Sequence, residues 1–195
     1  MGQEVVLSAH KQRIQKDVVD AFVQLLHDRE FVHLTVKDVC VKAGISRGTF
    51  YRHFVDKYSL LKAFMQRMTR EIEDQCGVGS YEKKVECIFA CLDKYKTQLK
   101  HLFFGTVDYE VHIIVYTLYA NEIRGELERR LGLGERFTLP VRVLADFCAS
   151  GISYIMIQWL RGEYKYSREE LAQYVFRLAN TVHMVEDIPD TVKIL

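Results

Sequence analysis

Proline is almost missing from this chain: Pro140 and Pro189 are the two in 195 residues, and glycine is sparse with eleven. A fold of short strands needs turn residues about every ten positions. Their scarcity argues against an all-β chain and leaves long stretches in which nothing breaks a helix. An excess of charge is missing too, with 27 Lys and Arg against 26 Asp and Glu for a net +1. A charged partner must therefore be met by a local patch, because the total supplies no field.

Cysteine is scarce and odd in number. Cys40, Cys76, Cys87, Cys91 and Cys148 sit in apolar helical patterns, which fits buried thiols in a reducing compartment such as the cytoplasm better than a disulfide framework. Cys87 and Cys91, four apart, share one helix face, where a metal or redox pair is conceivable. No His lies on that helix to complete a ligand set, so core packing is the favoured reading and no metal is expected.

Long hydrophobic runs are also absent. The most apolar stretch, 147–160, is about 14 residues long with two serines and a glutamine inside it, short of the roughly 20 that span a bilayer. A core helix is expected there, and no membrane partner. The N-terminus shows no charged region followed by an apolar one, and Val6 stands where an N-myristoylation signal wants Ser or Thr. Glycine-rich phosphate loops, HExxH and a local Ser, His and acid motif are lacking, so neither an enzyme nor a cofactor is expected.

What the chain does have is 49% hydrophobic residues, ample for a core. Ile14, Val18, Ala21, Phe22 and Leu25 follow one helical face within residues 10–30. Thr35-Val-Lys-Asp38 reads as a capping box opening a second helix that runs to about Ala43. Gly44 then ends it, and Ser46 caps another. Asp56 can cap a longer helix with Leu61, Phe64, Met65, Met68 and Ile72 inward, ending near Cys76 before Gly77-Val-Gly79.

Beyond that break, Val85, Ile88, Phe89, Leu92, Tyr95 and Leu99 predict one long helix. Ile114, Val115, Leu118 and Leu127 predict another, up to Gly132-Leu-Gly134. Thr138 can cap a helix with Pro140 near its first turn, and Ser167-Arg-Glu-Glu170 is a second capping box. The final pair is expected over about 139–162 and 168–186. No repeat or low-complexity tract is present.

Two short helices meeting at a glycine turn over Thr35–Phe54 form a helix-turn-helix pattern. Its second helix needs an inward face, supplied by Ile45, Phe50 and Phe54, and an outward face for the major groove. Arg47, Gly48, Thr49, Tyr51 and Arg52 can supply the second. Arg47 has the reach for bidentate contact with guanine, and Gly48 lets the backbone come close. Thr49, Tyr51 and Lys57 suit phosphates. Lys37, Lys42, Arg47, Arg52 and Lys57 face only Asp38 and Asp56 across 35–57, a basic patch hidden in a neutral total.

The segment GISRGTFYRHFVDKYSLL, Gly44 to Leu61, resembles the recognition helix and following helix of the TetR family, and the match extends back to Thr35. The resemblance implies an all-α protein: an N-terminal three-helix domain, 1–57, binding double-stranded DNA, and a C-terminal helical bundle, 58–195. It implies a transcriptional regulator, commonly a repressor, acting as a homodimer on an inverted-repeat operator under an effector. DNA contacts would fall to Thr35, Lys37, Ser46, Arg47, Gly48, Thr49, Tyr51, Arg52, His53 and Lys57. His53 occupies a position that often donates to phosphate in the family, while Arg52 replaces the usual aromatic or His.

Family members dimerise through their last two helices. Here Leu171, Val175, Leu178, Val182 and Val185 form a seam in the last helix, with Phe147, Gly151 and Ile155 on its partner. Gly151 inside an apolar helix invites a close-packing explanation. An effector pocket, if aromatic, would draw on Phe103, Phe104, Tyr116, Tyr119 and Trp159. The stretch with Gly-Ile-Ser-Tyr, Trp159-Leu160 and Ser167-x-Glu-Glu-Leu171 also resembles one branch of TetR C-terminal domains, in which some relatives answer to a partner protein. The competing reading is a helical protein-interaction module with DNA binding secondary. Thr49, Tyr51 and Lys57 together argue for DNA.

Overall fold

The structure, a computed structural model, describes residues 2–77, 80–103, 109–137 and 139–183, with side chains for all of these except 2–9 and 180–183. Every regular element among the described residues is helical. In chain order they are α1 (Gly2–Asp28), a 3-10 turn (Phe31–His33), α2 (Val36–Ala43), α3 (Arg47–Tyr51), α4 (Lys57–Cys76), α5 (Tyr81–Lys94), α6 (Lys96–Phe103), α7 (Tyr109–Gly132), α8 (Val141–Arg161) and α9 (Arg168–His183). They gather into two compact units. One is Met1–Asp74 with Lys94–His112, the other Gln75–Asp93 with Ile113–Leu195.

In the first unit, α1 packs on α2 and α6. Its core is aromatic: Phe22 meets Phe31 edge-on at 6.1 Å and Phe64 at 6.4 Å, and all three rings are buried. Each such side chain contributes about 1.5–3 kcal/mol on burial, enough to hold short elements that could not persist alone. Val18, Ala21 and Phe22 are inward as the periodicity predicts, and Leu26 joins them. The helix begins at Gly2, well ahead of the expected start near residue 10.

The second unit packs α8 on α9. Leu127, Leu144 and Ala145 form one buried cluster, and Phe89 of α5 stands edge-on to Trp159 of α8 at 5.7 Å. Gly162 closes α8 in the left-handed region at φ 82°, with Gly162 and Glu163 amides donating back to Trp159 and Gln158 carbonyls. That conformation is cheap only for glycine. Ser167 and Glu170 form the expected box at the start of α9: the Glu170 amide donates to Ser167 Oγ, and the Ser167 amide to the Glu170 carboxylate.

One expectation needs correction. The predicted single helix through Val85 and Leu99 is two helices, interrupted at Tyr95. Tyr95 is buried against Phe64 at 5.2 Å and donates its hydroxyl to Glu71 at 2.7 Å, so its side chain is committed to α4 while the Leu99 amide starts a new turn on its carbonyl. Pro140, expected near the first turn of α8, stands at its N-cap with extended ψ. The proposed Thr138 cap and the segment beyond His183, with Val185, lie outside the described residues.

The apolar stretch 147–160 belongs to α8, 21 residues long and apolar enough by length and composition to cross a membrane. Seven of its residues, Leu144 and Trp159 among them, are nonetheless buried within the unit.

Candidate nucleic-acid interface

The α2–α3 pair is built by caps. Thr35 Oγ1 accepts from the Asp38 amide at 3.2 Å, and the Asp38 carboxylate accepts from the Thr35 amide at 2.9 Å, so two orphan donors at the start of α2 are satisfied reciprocally. The Thr35 hydroxyl and amide together hold the Asp38 carboxyl below its ordinary value. Gly44, at φ 66°, ends α2 and returns its amide to Cys40 and Val41. Two residues on, Ser46 Oγ accepts from the Thr49 amide at 3.0 Å and opens α3. The turn angle between α2 and α3 thus rests on three residues the sequence singles out.

α3 is five residues long and anchored by Phe50, which is fully buried and packs on Phe54 at 5.7 Å. Ile45 is half-buried. With that side inward, Ser46, Arg47, Gly48, Tyr51 and Arg52 are exposed, and Lys37 of α2 is exposed as well. Arg47 makes no hydrogen bond or ion pair among the described residues, so its guanidinium is uncommitted. Arg52 is different: its Nη2 donates to Thr49 Oγ1 at 3.1 Å, and Thr49 Oγ1 lies 3.0 Å from Ser46 Oγ. Ser46, Thr49 and Arg52 form one chain along α3 that fixes where the Arg52 charge sits. The Tyr51 ring stands edge-on to Phe50 at 5.4 Å with its body in solvent.

His53 is half-buried, and its Nδ1 is enclosed with no hydrogen-bond partner among the described residues. Burial first, then the charges of Lys11, Arg52 and His10, push its pKa below the usual histidine value. The imidazole is therefore neutral near pH 7. Lys11 and His10, both exposed on α1, are residues the motif reading passes over. Their only sequence signal is position on a solvent face, which many charged residues share.

Lys57 stands where α4 begins, but its ammonium turns inward. It donates to the Phe31 carbonyl at 3.1 Å and the Val32 carbonyl at 3.4 Å, and lies 4.5 Å from the Phe31 ring centre. Thr35 is likewise engaged in its cap. Both therefore hold the frame, and any phosphate contact they make shares groups already in use.

The residues expected elsewhere fall as follows. Phe103 lies in the first unit, against His112 at 5.7 Å. Tyr116, Tyr119 and Trp159 lie in the second, where burial drives the Tyr119 phenol pKa well up. Phe104 is outside the described residues. On α8 and α9, Phe147 is 66% exposed and Leu178 54%, and with Gly151, Ile155 and Val175 they line an apolar depression of about 260 Å³. Leu171 and Val175, expected at a dimer interface, are buried within the second unit. Val182 lies on α9, with its side chain outside those described.

Comparison with known proteins agrees with this arrangement. The family model of bacterial regulatory proteins of the tetR family matches residues 18–64, and that of a transcriptional regulator C-terminal region matches 79–181. An uncharacterised HTH-type transcriptional regulator of Bacillus subtilis, YxbF, is 35% identical over 54 residues, 28% of this chain and 14% of its own length. The chain spans about a third or less of the curated relatives it matches. A TetR transcriptional regulator from Streptococcus agalactiae superposes with a TM-score of 0.65 at 21% identity, covering 90% of this chain and 98% of that one. The transcriptional regulator FadR of Bacillus subtilis, solved with stearoyl-CoA, gives 0.59 at 20% identity, covering 86% and 98%. At these identities the structural likeness speaks for the fold alone.

Proposed function

The chain belongs to the TetR family of transcriptional regulators, and we propose that it acts as a homodimeric repressor on an inverted-repeat operator, released by an effector. The observation that carries DNA reading is the α3 surface: a buried Phe50 holds an uncommitted Arg47 and a bare Gly48 outward at the tip of a capped helix. In the major groove an arginine so placed meets guanine O6 and N7 in bidentate fashion. Tyr51, Arg52, Lys37 and the neutral His53 fall to the sugar-phosphate backbone, which sets register without reading sequence. The DNA-binding domain is taken as 1–57 and the regulatory part as 58–195.

The second copy is argued from α8 and α9. Phe147 and Leu178 are large, apolar and exposed around a depression that a two-fold copy of the same face would fill. A dimer presents two copies of α3 to one side of the duplex, so half-sites fall about one helical turn apart or near a multiple of it. Tyr116, Tyr119 and Trp159 are the candidates for an effector pocket, and the effector's chemistry is left to experiment. The cytoplasm, where DNA lies, is the proposed location.

Selection of bound sequences from random duplex DNA tests the whole reading. The expected result is a motif with dyad symmetry; recovery of a motif lacking it would overturn the dimeric assembly, and no enrichment would overturn specific DNA reading.

A further inference from the structure

The sequence pairs Cys87 with Cys91, but the structure gives Cys87 another neighbour. Cys76, the last residue of α4, lies against α5: its Sγ donates to the Lys83 carbonyl at 3.8 Å, one turn before Cys87. In α5 the Lys83 carbonyl lies at the turn that carries Cys87, so the Cys76 sulfur is placed beside that turn. Cys91, four residues on along the same helix, has its Cβ about 5–6 Å from that of Cys87, beyond the 3.5–4.5 Å a disulfide needs. A bridge between Cys87 and Cys91 would require α5 to unwind. One between Cys76 and Cys87 joins two elements that already touch at the turn carrying Cys87.

Access is uneven in a useful way. Cys76 is half-exposed, while Cys87 is buried but forms part of the wall of a groove of about 430 Å³ beside Lys83, Ala90, Arg168 and Gln173. Cys40, Cys91 and Cys148 are buried. We propose that Cys76 and Cys87 form a reversible intrachain disulfide that staples the end of α4 to α5. This does not depend on how the protein reads DNA.

The oxidant is a low-molecular-weight disulfide. The Cys76 thiolate attacks one of its sulfurs, giving a mixed disulfide and releasing one small thiolate. The Cys87 sulfur then attacks the Cys76 sulfur, forming the Cys76–Cys87 bond and releasing the second small thiolate. Two protein thiols lose two electrons and two protons, and the small disulfide gains both as two thiols. Burial, and then the Cys87 thiol, pushes the Cys76 thiol up to about 12. The first step is therefore slow in a reducing compartment and needs a sustained oxidant, which keeps the resting pair reduced.

The test incubates the full chain with oxidised glutathione at mildly alkaline pH, quenches with acid, alkylates and maps peptides by mass. The expected product is one cross-link between the peptides holding Cys76 and Cys87, lighter by two hydrogens and reversed by dithiothreitol. Cys76→Ser should abolish it and leave Cys87 unmodified; Cys87→Ser should trap glutathione on Cys76. The wild-type map decides the matter if Cys87→Ser does not fold. Glutathione retained on Cys76 in the wild type, a cross-link to Cys91, a cross-link between two chains, or no cross-link would each overturn the proposal.

Discussion

Lys57 Nζ donates to the backbone carbonyl of Phe31 at 3.1 Å, joining the first residue of α4 to a turn 26 positions earlier in the chain. The same ammonium lies over the Phe31 ring at 4.5 Å. A charged hydrogen bond and a cation–π contact together are worth about 1–2 kcal/mol in a half-buried setting. Lys57→Met should therefore lower stability by about that amount, read by denaturant unfolding. If Lys57 also meets a phosphate, the slope of log affinity against log salt should fall by about one; an unchanged slope with lost stability would assign it to the scaffold alone.

Arg47 and Tyr51 leave the same helix but should fail differently. Arg47→Ala removes a base contact, so it should cost about 1–3 kcal/mol at one operator position and relax the preference there. Tyr51→Phe removes a phosphate donor and should weaken binding on every sequence alike. Titrating both variants against the selected operator and its single-base variants distinguishes these roles. Uniform loss for Arg47→Ala would remove it from base reading.

Gly48 isolates the approach of the backbone to DNA. A Cβ built there meets only Ser46 Oγ, at 3.7 Å, an ordinary contact. Gly48→Ala should thus fold normally and gain up to about 1 kcal/mol of helix stability, since alanine is the better helix former. Operator affinity should nevertheless fall if the backbone comes close to the duplex. Unchanged affinity would show that the helix stands off at this point.

The helix-turn-helix was legible because its determinants are local: Thr35 with Asp38, Gly44, and Ser46 with Thr49 all act within four residues. The break at Tyr95 was not, because α5 and α6 both bury apolar side chains and the register of Leu92, Tyr95 and Leu99 runs on through the interruption. At the break the Tyr95 hydroxyl is held by Glu71, 24 residues away, a partner that local sequence does not show. Lys57 misleads for the same reason: from sequence it is one more cation in a basic patch, and only the fold brings Phe31 beneath it. The approach of Cys76 to the turn carrying Cys87 is likewise long-range, whereas Cys87 and Cys91 share a spacing that any reader of helices notices.

Glu71 makes the first unit sensitive to acid. Burial is the largest influence on its pKa and raises it, but hydrogen bonds from Lys94 at 2.6 Å, Tyr95 at 2.7 Å and Arg67 at 3.2 Å outweigh burial and leave it below the ordinary value. A carboxylate whose folded pKa is depressed stabilises the fold above its unfolded pKa of about 4.3, and that stability goes as pH falls through the folded value. Arg67 also pairs with Asp20 of α1, so the network ties α1 to α4. Glu71→Gln should lower the melting temperature at pH 7 and flatten its decline below about pH 5. A mutant curve parallel to wild type down to strongly acid pH would refute this.

Gly151 gives the sharpest test of the dimer. Inside a helix, glycine costs about 1 kcal/mol against alanine, so some packing need is expected to offset it. Within the protomer there is none among the described residues: a Cβ at Gly151 meets nothing within 4 Å, and the residue is exposed beside Phe147, Ile155 and Leu178. In the proposed dimer the missing side chain would serve close approach by the second copy. Gly151→Leu should leave the folded protomer intact, with unchanged helicity by circular dichroism, and overpack the face so that sedimentation shows monomers at concentrations where wild type is dimeric. Operator affinity should fall with no DNA-contacting residue altered, because each monomer then holds one half-site without its partner. A variant that still sediments as a dimer and binds normally would move the interface off this face of α8.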